Sequence, residues 1–253
     1  MNLLLHGIDK PDLRRDNALR HPLTEITEKA RVDVIVTNPP FGGEEEKGIQ
    51  ENFPESTRTS ETALLFLQFI MRSLKAGGRC GMVVPNGTLF GDGVCARIKK
   101  DLLEGFDLHT IVRLPNGVFA PYTPIPTNLL FFDRTGPTRE IWFYEQPPPE
   151  GRKNYSKTQP MQFEELAACQ AWWGGRDRAG RKENDRAWRV RAEDVVKADA
   201  EGRPVVNLDL KNPRQKEDLA HQPPEKLVED ILQKELKIVE LLKEIQGELA
   251  RKG

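Results

Sequence analysis

Cysteine is scarce in this chain. Cys80, Cys95 and Cys169 are the three thiols among 253 residues. Their spacing fits no metal site, and an odd count without a signal peptide predicts reduced thiols in the cytoplasm. Long apolar runs are missing too, which excludes a membrane-spanning helix. Neither sign of charge dominates: 38 basic residues stand against 39 acidic ones, for a net charge of −1. No global electrostatic attraction to nucleic acid follows, so any DNA contact is local or shared with a partner. A Gly-rich strand-to-helix loop of the dinucleotide kind is also lacking. Gly77-Gly78 follows the helix-like stretch Leu64 to Leu74 and reads as a helix terminator, and Gly91-x-Gly93 is short and has no acidic partner. With 38% hydrophobic and 30% charged residues, the chain is of globular composition, long enough for one large domain or two small ones.

What is present is Asn38-Pro39-Pro40-Phe41, directly after the aliphatic run Val32 to Val36. A planar exocyclic amine such as adenine N6 attacks carbon poorly, because its lone pair is delocalised into the ring. An Asn side-chain oxygen and the carbonyl of the next residue can each accept one amine hydrogen, favouring a pyramidal nitrogen and stabilising the charge that develops. Pro39 and Pro40 fix φ near −65° and hold the residue before each of them extended. Phe41 offers a face for stacking a base, and a base in duplex DNA reaches such a site only by flipping out. The same tetrapeptide is also an ordinary turn, with Asn38 capping the strand end and Phe41 packed in the core. Its position after an aliphatic strand, followed by Gly42 and Gly43, is that of a ligand site at the C-terminal end of a parallel strand.

Here the sequence resembles the amino-methyltransferases of DNA, and more narrowly the methyltransferase (M) subunit of type I restriction-modification systems. The blocks that carry the resemblance are Met1 to Gly7, Asp33 to Gly42, Gly81 to Gly87, Leu114 to Phe119, Thr127 to Phe132 and Asn207 to Pro213. The resemblance implies an α/β fold, the C-terminal part of a Rossmann-like S-adenosylmethionine-dependent methyltransferase sheet with a C-terminal helical extension. It also implies N6-adenine methylation of DNA in a complex with a specificity subunit, and often a restriction subunit and a second M subunit. Asn38 to Phe41 become the catalytic motif, with Asn38 also beside the cofactor. Asp16 sits where the family places an acid on the cofactor's adenine, although the family's preceding Gly is Arg15 here. Phe41, Phe119 and Tyr122 become the base pocket. Family members carry an Asp-Pro-x-x-Gly-x-Gly type cofactor loop upstream of the block that begins here at Met1, and this chain has no such loop. Glutamine side-chain methylation uses a similar motif with Tyr in the fourth place; Phe41 and the C-terminal blocks argue against it.

Along the chain, Leu3 to Gly7 reads as a helix end, Thr62 to Leu74 as a helix with a broad apolar face, and Gly81 to Pro85 as a core strand. Lys99 to Leu103 closes another helix; Leu108 to Leu114, Asn128 to Phe132 and Trp142 to Tyr144 are strands, the aromatics of the last being core residues. Val118 to Pro126 is a proline-stiffened loop. By the resemblance, Asp33 to Val36 lacks a strand neighbour on one side and forms an apolar edge that invites association. The expected organisation is a partial catalytic domain over residues 1–146, an irregular charged extension with Trp residues over 147–222, and a coiled-coil-like helix over 223–253. Within the extension, the arginines between Gly174 and Arg191 form either a phosphate-tracking patch or a solvated loop, and the composition favours the loop. Val228, Ile231, Ile238, Leu242, Ile245 and Leu249 make a seam interrupted at Glu235. By resemblance that seam faces a specificity subunit. Two readings remain open: the catalytic portion of a DNA adenine methyltransferase, or a truncated, non-catalytic subunit that keeps partner and DNA binding.

Overall fold

The computed structural model describes residues 5–214 except Lys153, and beyond them Leu232, Glu235, Lys237 and Ile238. The predicted seam of residues 223–253 and the start of the Leu3 to Gly7 helix therefore lie outside the described residues. Residues 1–214 form one compact unit and residues 215–253 another.

The first unit is built on a six-stranded sheet. Its strands are β1 (Val32–Thr37), β2 (Leu74–Pro85), β3 (Asp107–Arg113), β4 (Thr127–Asp133), β5 (Glu140–Glu145) and β6 (Ala187–Arg191), in the spatial order β1-β2-β4-β3-β5-β6. β1 and β2 run parallel, as do β3 and β5; β4 lies antiparallel between β2 and β3. Helix α1 (Thr62–Ser73) connects β1 to β2, and α2 (Val94–Gly105) connects β2 to β3. A parallel pair needs such a crossover, and both helices cover the same apolar face of the sheet. That face buries Leu64, Leu67, Ile70, Ile98 and Leu102 against Cys80, Met82, Val84, Leu130 and Phe132. The opposite face is closed over β3 to β5 by α3 (Ala167–Trp172), which packs Cys169, Trp172 and Trp173 on Val112, Tyr144 and Phe131.

β1 is the edge strand of this sheet, as the sequence predicts. Ile35 points into the core, while Val32, Val34 and Val36 on the other face are 42%, 49% and 84% exposed. Gly77-Gly78 differs from expectation. α1 ends at Ser73, whose Oγ donates to the Phe69 carbonyl at 2.7 Å, and the chain enters β2 without a glycine cap. The glycines lie inside β2, where the register against β1 jumps between Val32 and Val34. A Cβ on Gly78 would stand 2.9 Å from the Lys75 carbonyl oxygen and 3.2 Å from that of Asp33, so close backbone approach is the reason for the glycine.

The extension from residue 147 contributes a strand to the sheet. β6 pairs antiparallel with β5, and the boundary between compact units falls after Arg214. The arginine-rich loop before β6 is also not simply solvated. Arg181 lies between Trp172 and Trp173, 4.8 and 4.5 Å from their ring centres, and donates to Thr110 Oγ1 at 2.8 Å and to the Trp173 carbonyl at 2.8 Å. Burial pushes its guanidinium down to about 10, with Arg178 adding to the effect. Arg178 donates to Asp133 Oδ2 at 2.7 Å. Burial alone would raise the Asp133 carboxyl, but His109 and Arg178 together bring it down to about 2.

Candidate active site

β1 and β2 deliver their C-terminal ends to one edge of the sheet, and Asn38 follows β1 directly. Pro39 is buried and anchors the turn, Asn38 and Pro40 are exposed, and Phe41 is half-buried. The Asn38 carboxamide makes no side-chain hydrogen bond among the described residues, so its oxygen is available to a ligand.

Facing this turn is the loop between β3 and β4. Gly117, at φ +79°, opens it: a Cβ there would meet the Tyr155 carbonyl oxygen at 2.6 Å, so only glycine allows the loop to pass. Two tight turns follow, with the amides of Tyr122 and Thr123 donating to the Phe119 carbonyl at 2.9 and 3.2 Å and that of Ile125 to Thr123 Oγ1 at 3.1 Å. The loop carries Phe119 to an edge-to-face contact with Phe41, with ring centres 4.7 Å apart and planes at 73°. Tyr122 remains 92% exposed.

Turn and loop enclose an opening of about 520 Å³ lined by Asn38, Pro39, Pro40, Phe41, Gly42, Phe119, Tyr122, Thr123 and Ile125. That volume lies within the range of small-ligand pockets, and its walls combine aromatic faces with one free carboxamide. Six residues singled out from sequence thus share one opening: Asn38, Pro39, Pro40, Phe41, Phe119 and Tyr122. Thr123 and Ile125 were not foreseen, although the proline-rich loop that holds them was.

Asp16 is not brought to this opening. Its Oδ1 accepts from the Asn17 amide at 2.9 Å and from Arg20 at 3.4 Å, and its Oδ2 lies 3.5 Å from His21 Nε2. The Asn17 amide, with smaller help from Arg20 and His21, holds its carboxyl below the ordinary aspartate value. Trp142, Phe143 and Tyr144 are packing residues: Phe143 stacks on Trp188 with centres 5.3 Å apart, and Tyr144 and Trp142 pack on Trp172.

The family model described as N-6 DNA Methylase matches residues 1–219. The chain belongs to that family. Among N-6 DNA methylases it is 54% identical, over 90% of its length, to the methylase subunit of the type I restriction enzyme EcoEI of Escherichia coli, of which it covers 46%. The modification subunit of a putative type I restriction enzyme from Vibrio vulnificus YJ016 superposes with a TM-score of 0.79 at 56% identity, over 87% of this chain and 46% of that one. A further chain, from a structure concerned with complex assembly and conformational transition of the type I restriction-modification system, is 42% identical with a TM-score of 0.76. It is matched by 100% of this chain, which covers 52% of it. This N-6 DNA methylase chain therefore spans about half the length of the relatives it matches.

Proposed function

We propose that this chain supplies the amine-accepting half of a DNA adenine-N6 methyltransferase, the M subunit of a type I restriction-modification system. The observation that carries the reading is the shared opening, with Asn38 to Phe41 on one side and the Phe119 to Ile125 loop on the other. A flipped adenine enters it. Asn38 Oδ1 and the Pro39 carbonyl accept the two N6 hydrogens, Phe41 stacks on the ring, Phe119 buttresses Phe41 from its edge, and Tyr122 closes the exposed side. As the nitrogen attacks, it becomes positively charged, and two fixed acceptors stabilise that charge without reorganising. Asn38 borders the methyl donor, whose main binding loop comes from a partner half, so DNA, a cofactor-binding half and further subunits are all partners in the reaction. Residues 223–253 are the expected contact for a specificity subunit, with a restriction subunit and a second M subunit completing the assembly.

The experiment that tests the reading is reconstitution: this chain, combined with the N-terminal half of a type I methylase subunit and a specificity subunit, transfers labelled methyl groups to DNA. Failure of the assembled complex to transfer methyl to any DNA contradicts it. One observation favours a non-catalytic role for the chain on its own, namely that its sequence shows no Gly-rich cofactor loop. S-adenosylmethionine titrated calorimetrically into the isolated chain is accordingly expected to give no binding up to about 1 mM, whereas a dissociation constant near 1 μM, roughly −8 kcal/mol, contradicts the account.

A further inference from the structure

The segment Asn207 to Arg214 crosses the end of the sheet that bears Asn38. The Leu208 amide donates to the Leu89 carbonyl at 2.8 Å, with the Leu208 side chain buried. Arg113, at the end of β3, donates to the Leu210 carbonyl at 2.7 Å, and Asn212 Nδ2 reaches Glu145 Oε2 at 3.2 Å and the Asp185 carbonyl at 2.7 Å. At the centre of the strap is Asp209. Its Oδ1 lies 2.6 Å from Arg113 Nη2, and its Oδ2 accepts from Asn86 Nδ2 at 3.2 Å. Asn86 uses its other side-chain atom as well: Oδ1 accepts from Asn128 Nδ2 at 3.0 Å. The carboxamide is therefore fixed in orientation, with a donor and an acceptor each engaged. The Asn86 amide then donates to the Pro126 carbonyl at 2.8 Å. Pro126 is the residue after Ile125, which lines the opening.

We propose that Asp209 is a positioning residue for the base pocket, fixing the Phe119 to Pro126 loop through Asn86. The physical basis is the sparse anchoring of that loop. Its turns are local, closing on Gly117, Phe119 and Thr123, and local turns shape a loop without locating it against the rest of the molecule. Its C-terminal end enters β4 at Thr127, opposite Pro85, and the last tie on the loop side of that strand is the Asn86 backbone amide on Pro126; the Asn86 side chain is held in turn by Asp209 and Asn128. Asp209 is itself held by Arg113 and by an Asx-type bond from its own amide to Asn207 Oδ1 at 2.9 Å. The ion pair is about three-quarters buried on both sides, so the attraction between its charges is screened less than at the surface. Releasing Asp209 leaves the Asn86 side chain held by Asn128 alone, at the residue whose backbone amide ties down Pro126, and the wall opposite Asn38 is anchored less firmly.

This inference rests on the reading of the opening as a base pocket, but its test does not. Amide hydrogen exchange is followed in the 253-residue chain, the Asp209→Ala variant and the near-isosteric Asp209→Asn variant. In Asp209→Ala the amides of Asn86, Tyr122, Thr123 and Ile125 are expected to exchange at least about fivefold faster, while those of β4 and β5 keep their rates. Asp209→Asn, which retains an acceptor for Asn86, is expected to fall between. Unchanged exchange in the loop overturns the proposal, and so does a uniform acceleration across the strands, which marks general destabilisation. In the reconstituted methylase the same substitution is expected to raise KM for DNA by about tenfold and change kcat less; an equal loss in kcat with KM unmoved overturns it. If the unsubstituted complex does not methylate DNA, the functional reading fails while the exchange comparison still decides the coupling.

Discussion

Replacing Asn38 by alanine is expected to lower methyl transfer by the reconstituted enzyme by about 10²- to 10³-fold, the effect of removing one preorganised polar contact to developing charge. The protein itself should hardly notice. Asn38 is exposed and its side chain holds nothing together among the described residues, so the change in stability stays within about 0.5 kcal/mol, as for surface substitutions generally. That separation makes the test clean. Phe41→Ala is less clean, because Phe41 is half-buried against Phe119 and its loss also loosens the opposite wall. Rate measured at saturating DNA, with thermal unfolding followed in parallel, checks the expectation. Undiminished methylation by Asn38→Ala removes the proposed role of its carboxamide.

The largest expected effect on stability belongs to Arg181. Its guanidinium sits between two indole rings and donates to β3 and to the α3 end, joining the extension to the sheet. A desolvated cation–π contact contributes about 2 kcal/mol, and the lost hydrogen bonds add about 1 kcal/mol each. Arg181→Ala should therefore cost about 2–4 kcal/mol, seen as a fall of roughly 5–15 °C in the unfolding midpoint for a unit of this size. Arg181→Lys keeps a charge but not the planar fork that spans both partners, and should recover little of it. A midpoint unchanged in Arg181→Ala shows that the loop is held by other contacts.

Arginine 181 also illustrates what a linear reading can miss. In sequence it is one cation in a run of arginines, and such a run is ordinarily a solvated face. Only the fold brings Trp172 and Trp173, nine and eight residues earlier, around it and places Thr110 beside it. By contrast, α1 and the strands of the sheet were legible because apolar periodicity is a local property: the helix expected over Thr62 to Leu74 spans Thr62–Ser73. Gly77-Gly78 was misread because glycine after a helix usually caps it, whereas here the backbones of β1 and β2 come too close for a Cβ. The Asn38 side of the opening was legible for a chemical reason, since few residue sets suit a weakly nucleophilic amine. The support behind it was not. Asn86, Arg113, Asn128 and Asp209 meet from segments as far as 123 residues apart, and no spacing rule announces such a contact.

The same limit applies to Asp16, whose place in the sequence does not disclose its neighbours. Its partners are Asn17, Arg20 and His21, all within one local turn.

The central claim is that the opening between Asn38 and Tyr122 receives adenine and directs methylation to its N6. Nucleoside analysis of DNA treated with the reconstituted complex and labelled methyl donor tests it most directly. The account predicts label in N6-methyladenine and none when this chain is omitted; label in a cytosine derivative, or in N6-methyladenine at full yield without this chain, contradicts it.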